Sequence, residues 1–197
     1  MATHKARLVM VGLSAGGMNL MVTLIKALPA DFSLPMVCVM HLSESIGDSW
    51  VRLMNQKSKL LVKKAVDKEQ IENGIVYLAP PGYHLLVEPN RSFNLTRNAQ
   101  VNHAIPSIDV TFESAANSLK DQVIGFLGTG GNSDGAKGLF KIKKQGGYTM
   151  VQQPSLAEFP AMPEAALQLS EPSQIVTTAE LVDQLLNFDK AFRSELA

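Results

Sequence analysis

Between Arg7 and Met40 the sequence changes period twice. Arg7 to Gly12 is a short apolar run that ends at glycine. From Gly17 to Leu28, residues Leu20, Val22, Leu24, Ile25 and Leu28 recur at helical spacing, and Pro29 follows. Pro35 to Met40 is apolar again. Apolar runs this short fit strands buried on both faces, and proline cannot continue a helix. Strand, helix and strand in this order predict a parallel unit with a crossover helix, so the first forty residues already commit the chain to an α/β architecture.

The rest of the chain keeps that rhythm, with one interruption. Asp48 to Asn55 suits a helix. Four short strand-like pieces follow at Leu61–Ala65, Ile75–Ala79, Tyr83–Glu88 and Ser92–Thr96, and "APPGYH" and "PNR" supply turns among them. Their close spacing predicts a small antiparallel insertion. Pro106-Ser107 then opens a helix with Ile108, Phe112, Ala115, Ala116 and Leu119 on one face. Val123 to Leu127 is a third strong buried strand, ending in "GTGGNSDGAKG". A helix from about Ala136 to Lys144, a strand at Tyr148–Gln152 and a short helix opened by Pro163 come next. Ile175-Val176 suits a last strand, and Thr177 to Glu180 has the spacing of a capping box for a C-terminal helix to about Phe192. The expected fold is a doubly wound, mostly parallel sheet with helices on both faces and a small antiparallel hairpin insertion. No linker divides the chain, so residues 1–197 are expected to form one domain.

Composition narrows the chemistry. Formal net charge is zero, and no basic run or aromatic-basic stripe appears, which argues against nucleic acid and anionic membranes as partners. No apolar run is long enough to span a bilayer, and residues 1–6 lack the apolar stretch of a secretory signal, so membrane insertion is not expected and the cytoplasm is the expected compartment. Cys38 is the only cysteine and lies in an apolar run, which predicts a buried thiol with no disulfide within the chain.

The stretch Gly12-Leu13-Ser14-Ala15-Gly16-Gly17 carries the candidate chemistry. A dinucleotide-binding turn would need glycine where Ser14 stands and an acidic residue after the second strand, where Met40-His41 stands instead. A P-loop would need Lys-Ser or Lys-Thr after the glycines. What does match is G-x-S-x-G between a strand and a helix, the context of a nucleophile elbow, although a serine there also serves as a plain helix cap. A serine nucleophile needs a base and an orienting acid. Of the four histidines, His4 is near the terminus, His103 lies in a polar loop, and His84 sits in the expected hairpin, where a structural hydrogen bond accounts for it. His41 ends the second buried strand. Asp134 lies in the glycine-rich loop after the third, either as the orienting acid or as the cap of the helix that begins near Gly135. In doubly wound sheets the loops at the carboxyl ends of strands converge on one crevice, and Ser14, His41 and Asp134 all lie just past such ends.

The blocks "VGLSAGG", "LPADF", "VMHL", "GIVYLAPPGYHLLVE", "PSIDVTFESAA", "GTGGNSDGAKGL", "GGYTMVQ" and "MPEAA" resemble, in order and spacing, the catalytic domain of the CheB-type chemotaxis protein-glutamate methylesterases. The resemblance runs from about Arg7 to Leu186. It implies a serine hydrolase with Ser14 as nucleophile, His41 as base and Asp134 as acid, and with the backbone N–H groups of Ala15 and Gly131 holding the oxyanion. It implies hydrolysis of glutamate γ-methyl esters on the cytoplasmic region of a methyl-accepting chemoreceptor, glutamine deamidation by the same machinery, and no metal or organic cofactor. Regulated members of the family carry an N-terminal phospho-acceptor domain, so regulation here is expected to fall to a separate protein. The chain departs from the family's pattern at Ile105, where an arginine is usual, in Met40-His41-Leu42-Ser43, and at Ala161, where a glycine is usual. A catalytically weak receptor-binding module of the same fold is the alternative these departures leave, and a nucleotide-binding domain is a more distant one.

Overall fold

The computed structural model describes residues 6–41 and 44–196, with the side chains of 44–47 excepted. His4, Leu42 and Ser43 lie outside the described residues.

The expected strand–helix alternation is present. β1 (Leu8–Leu13), α1 (Gly17–Ala27) and β2 (Met36–Met40) form the opening unit, followed by α2 (Glu44–Lys57), β3 (Leu61–Lys64) and β4 (Ile75–Leu78). β5 (His84–Val87) and β6 (Phe93–Thr96) come next, then α3 (Ile108–Leu119), β7 (Val123–Leu127), α4 (Ala136–Lys144), β8 (Tyr148–Gln152), α5 (Ala161–Leu169), β9 (Gln174–Val176) and α6 (Thr178–Leu196). Seven strands make one sheet in the order β3-β4-β2-β1-β7-β8-β9, and every neighbouring pair is parallel.

Only two of the four short pieces read as an antiparallel insertion are one. β5 and β6 pair antiparallel, and β3 and β4 instead run parallel and extend one edge of the main sheet. Strand length does not encode pairing partner: β3 and β4 are separated by a loop long enough for the chain to return and pair in parallel. The β5–β6 hairpin is docked on α3 by the Ser118 hydroxyl, which donates to the Val87 carbonyl (2.7 Å), and by the Val87 amide, which donates to Ser114 Oγ (3.0 Å).

Both faces of the sheet are covered, which is why the strands read as continuous apolar runs. Along β1, Val9, Val11 and Leu13 pack under Leu24, Ile25, Leu181 and Phe192, whereas Leu8 and Met10 face Phe112, Leu119 and Ile142. Cys38 is buried in the first of these layers, and that burial pushes its thiol pKa up, leaving a neutral packing group. α5 begins at Ala161, two residues before the proline expected to open it. Proline is tolerated there because first-turn N–H groups have no intrahelical partner. The expected capping box on α6 is reciprocal: the Glu180 amide donates to Thr177 Oγ1, and the Thr177 amide donates to the Glu180 carboxylate.

The register then fixes what the strands present. Leu13 pairs with Met40 and Gly12 with Leu127, so β2, β1 and β7 end side by side. The next residues, Ser14 and His41, leave the sheet at neighbouring positions. No helix among the described residues is long and apolar enough to cross a membrane.

Candidate active site

Ser14 sits in a turn that the sheet itself braces. Its amide donates to the Thr129 carbonyl (2.9 Å), its carbonyl accepts from the Gly17 amide (2.9 Å), and the Thr129 hydroxyl donates to the Ala15 carbonyl (2.9 Å). Gly16 closes the turn at φ +75°, a left-handed conformation in which a Cβ is strained, and a Cβ there would also run into the Glu158 side chain at 2.8 Å. The Ser14 side chain is therefore lifted out of the sheet at the N-terminus of α1, as the G-x-S-x-G reading expects.

Three side chains form one line. Ser14 Oγ lies 2.9 Å from His41 Nδ1, and His41 Nε2 lies 2.9 Å from Asp134 Oδ2. The neutral imidazole with its proton on Nε2 satisfies both contacts: Nε2–H donates to the carboxylate and Nδ1 accepts from the serine hydroxyl. The two ring nitrogens are used in the opposite sense to the familiar protease arrangement, in which Nε2 faces serine. Imidazole passes a proton equally well in either sense. His41 keeps 18% of its side-chain surface and Asp134 none.

Asp134 is not the cap of the helix that follows it. Gly135 occupies that cap, with no side-chain hydrogen bond. The carboxylate instead reaches across the molecule to the start of α3. Oδ2 accepts the Ile108 amide (2.7 Å) besides His41, and Oδ1 accepts the Ser107 hydroxyl (2.8 Å), Asn102 Nδ2 (2.9 Å) and the Asp109 amide (3.2 Å). It thus serves as anion at another helix's N-terminus, where free amides and the helix dipole favour negative charge. Burial by itself would raise the Asp134 pKa. The hydrogen bonds from His41, Asn102, Ile108 and Ser107 outweigh it and hold the carboxyl below the ordinary aspartate range.

The sequence reading missed part of this network. Asn102 and the buried Asp109 carried no local signal, since Asp134 and Gly138, which tie them into the site, lie 25 to 32 positions along the chain. Asp109 accepts the Gly138 amide (2.8 Å) and Asn102 Nδ2 (2.7 Å). Burial pushes its carboxyl up, the Gly138 amide pulls it down, and the Asp134 charge adds to the rise. The other two described histidines, His84 and His103, stand apart from this line. His84 is buried, with Nε2 on the Ala99 carbonyl (3.0 Å) and Nδ1 accepting the Ser107 amide (3.2 Å), and so helps fix the segment that binds Asp134. His103 is exposed.

Ala15 and Gly131 are both exposed, and their amides donate to no other described residue. A Cβ at Gly131 would meet open space. The loop carrying Gly131 is tied down beside it: the Gly130 amide donates to the Phe159 carbonyl, and the Gly130 carbonyl accepts the Met162 amide, both at 3.0 Å. Among the described residues, no group of three His, Cys, Asp or Glu side chains is placed to hold a metal ion.

A doubly wound sheet with a serine, a histidine and an aspartate in one hydrogen-bonded line at its carboxyl edge has the build of the α/β serine hydrolases. The CheB methylesterase family profile matches residues 9–185, and the chain belongs to that family of carboxylic ester hydrolases. A protein of Leptospira interrogans, provisionally named a protein-glutamate methylesterase/protein-glutamine glutaminase, is 38% identical over 182 residues, covering 92% of this chain and 94% of its own length. The protein-glutamate methylesterase/protein-glutamine glutaminase of Archaeoglobus fulgidus is 32% identical over 185 residues, and the match spans 91% of this chain but only 52% of that protein. The crystal structure of the Thermotoga maritima CheB methylesterase catalytic domain superposes with a TM-score of 0.87 at 28% identity, covering 92% of this chain and 98% of that one.

Proposed function

We propose that the chain hydrolyses γ-methyl esters of glutamyl residues in the cytoplasmic region of chemoreceptors through an acyl-enzyme on Ser14. The observation that carries this reading is the unbroken line from Ser14 Oγ through both nitrogens of His41 to Asp134, with 2.9 Å at each step.

The Ser14 hydroxyl gives its proton to His41 Nδ1 as Oγ attacks the ester carbonyl carbon. The Ala15 and Gly131 amides receive the oxyanion, with the N-terminus of α1 adding its positive dipole end. His41 returns the proton to the departing methoxide, and methanol leaves. Water then attacks the acyl-enzyme with His41 again as base, which regenerates Ser14 and frees the glutamate side chain. Asp134 holds the imidazole with its proton on Nε2 and stabilises the cation formed in each half-reaction. The same steps release ammonia from a glutamine side chain, so deamidation belongs to the same proposal. The compartment is the cytoplasm, where the receptor's methylated region lies, and the partner is that region.

Labelling with a fluorophosphonate, mapped by peptide sequencing, and methanol release from a methylated receptor fragment test this together. Label on Ser14 with methanol release is the expected result. Receptor binding with neither label nor methanol would reduce the chain to a binding module of the same fold.

A further inference from the structure

The two hydrogens of a single nitrogen join two buried carboxylates. Asn102 Nδ2 donates one to Asp134 Oδ1 (2.9 Å) and the other to Asp109 Oδ2 (2.7 Å). Asp134 and Asp109 are 0% and 4% exposed. Asn102 is held in place by its own turn: it sits at φ +51° between Val101 and Ala104, whose amides and carbonyls bond to each other at 3.2 and 2.9 Å. Asparagine tolerates that left-handed backbone better than most residues. Asn102 and Asp109 also line a cleft of about 290 Å³ with Ser133, Lys137 and Gln168.

We infer that Asn102 is a positioning residue for the Ser14–His41–Asp134 line: by holding Oδ1 of Asp134 and separating it from Asp109, it leaves Oδ2 aimed at His41. A carboxylate that rotates about its terminal bond can present either oxygen, or neither, to a neighbour. The Ile108 and Asp109 amides restrict that rotation from the helix side, and Asn102 restricts it from the loop side. Without the carboxamide, Asp109 and Asp134 face each other with no donor between them, and like charges in a poorly solvated site repel strongly. The prediction for turnover rests on the esterase reading above, and the geometric claim does not.

Two variants separate this role from a merely structural one. Asn102→Gly keeps the left-handed turn and deletes the donor. Asn102→Asp keeps size and turn preference but donates only when protonated. Each is examined as the full chain for thermal unfolding, for kcat and KM on a methylated receptor fragment, and by proton NMR for the His41 Nε2–H resonance, which a fixed bond to Asp134 slows and shifts downfield. Losing a hydrogen bond to a charged group is worth about ten- to a hundredfold. Asn102→Gly is expected to lower kcat by about that factor with KM nearly unchanged, and to broaden or erase the Nε2–H signal in a folded protein. For Asn102→Asp, kcat relative to wild type should rise as pH falls. The new carboxyl faces Asp109 and Asp134; His41 bonds the other oxygen of Asp134, Lys137 lines the same cleft, and the Asp109 charge acts on Glu113. It regains a hydrogen to donate as it takes up a proton. A folded Asn102→Gly protein with wild-type kcat and an intact Nε2–H signal would overturn the inference. So would an Asn102→Asp activity ratio that is flat with pH. If the wild-type protein released no methanol, the esterase reading would fall, and the NMR comparison would still decide the role of Asn102.

Discussion

Ser14 and Asp134 differ in how much the fold depends on them. The Ser14 hydroxyl is half-buried at the end of a turn held by backbone bonds to Thr129 and Gly17. Ser14→Ala is therefore expected to leave thermal unfolding unchanged while reducing ester hydrolysis by at least about 10³-fold, the scale of nucleophile loss in a triad. Asp134 is another matter. An asparagine there must turn its NH₂ group either toward His41 and the Ile108 amide, or toward Ser107, Asn102 and the Asp109 amide. The first choice forces the imidazole proton onto Nδ1, facing Ser14. The second sets the NH₂ against the Asn102 and Asp109 donors, and either choice removes the charge that stabilises the imidazolium. Asp134→Asn is expected to cost at least about 10²-fold in turnover. It should also lower Tm by several degrees, because leaving a buried donor unpaired costs about 1–3 kcal/mol. Activity and thermal unfolding measured on one preparation check both. A plain cap on α4 would have tolerated asparagine freely.

At the scale of elements, the site depends on how closely α3 and α4 approach. Gly138, in the first turns of α4, makes that approach possible: a Cβ there would lie 2.5 Å from Phe112 Cβ and 3.0 Å from the Asp109 carbonyl oxygen. Its amide is also the one that binds Asp109. Alanine would gain about 1 kcal/mol of helix propensity at this position. Overpacking costs about 1–3 kcal/mol, and here the obstacle includes backbone, which yields less than a side-chain tip. The second effect should win. Gly138→Ala is expected to lower Tm by a few degrees and to reduce turnover as well, since α3 and its cap Ser107 together carry three of the donors on Asp134. Chemical denaturation and kinetics would show it, and a stabilised, fully active variant would mean the helices separate without cost. Ser107 gives a second test of the same junction. It caps α3 through the Val110 amide and donates to Asp134, so Ser107→Ala should lose about 1–2 kcal/mol and roughly 2–8 °C.

For the molecule as a whole, the two buried aspartates act on stability in opposite directions. Asp134 is held below the ordinary value of 3.8, so its contribution is fully present above that value and is lost as pH falls through it toward the lowered pKa. Asp109 is held above 3.8, so its burden is absent in acid and grows as pH rises through its raised value. At neutral pH both are in force. The stability difference between wild type and Asp134→Asn should therefore be largest near neutrality and shrink below about pH 4. Urea unfolding at pH 7, 4 and 3 measures it. A difference that stayed constant would mean that Asp134 has no depressed pKa in the fold.

The local pattern of the chain determined a great deal. Period and punctuation placed nearly every helix and strand of the main sheet, because strands buried on two faces must be apolar throughout and helices on such a sheet must repeat near every fourth residue. The turn at Ser14 was legible for the same kind of reason: glycine, serine and glycine between a strand and a helix form a local construction. That His41 and Asp134 belong with Ser14 was legible at the level of topology, as three residues past three strand ends. Tertiary structure alone decided the rest. β3 and β4 join the sheet in parallel rather than forming a hairpin, a choice made by docking and not by the strands themselves. Asp134 caps α3 instead of α4, and Asn102 and Asp109 enter its shell, because these bonds link residues 7 to 93 positions apart and exist only once α3, α4 and the loop before α3 have packed at their final spacing. Period is a property of neighbours along the chain, whereas a buried carboxylate takes its donors from whichever elements the packed layers bring within hydrogen-bond reach.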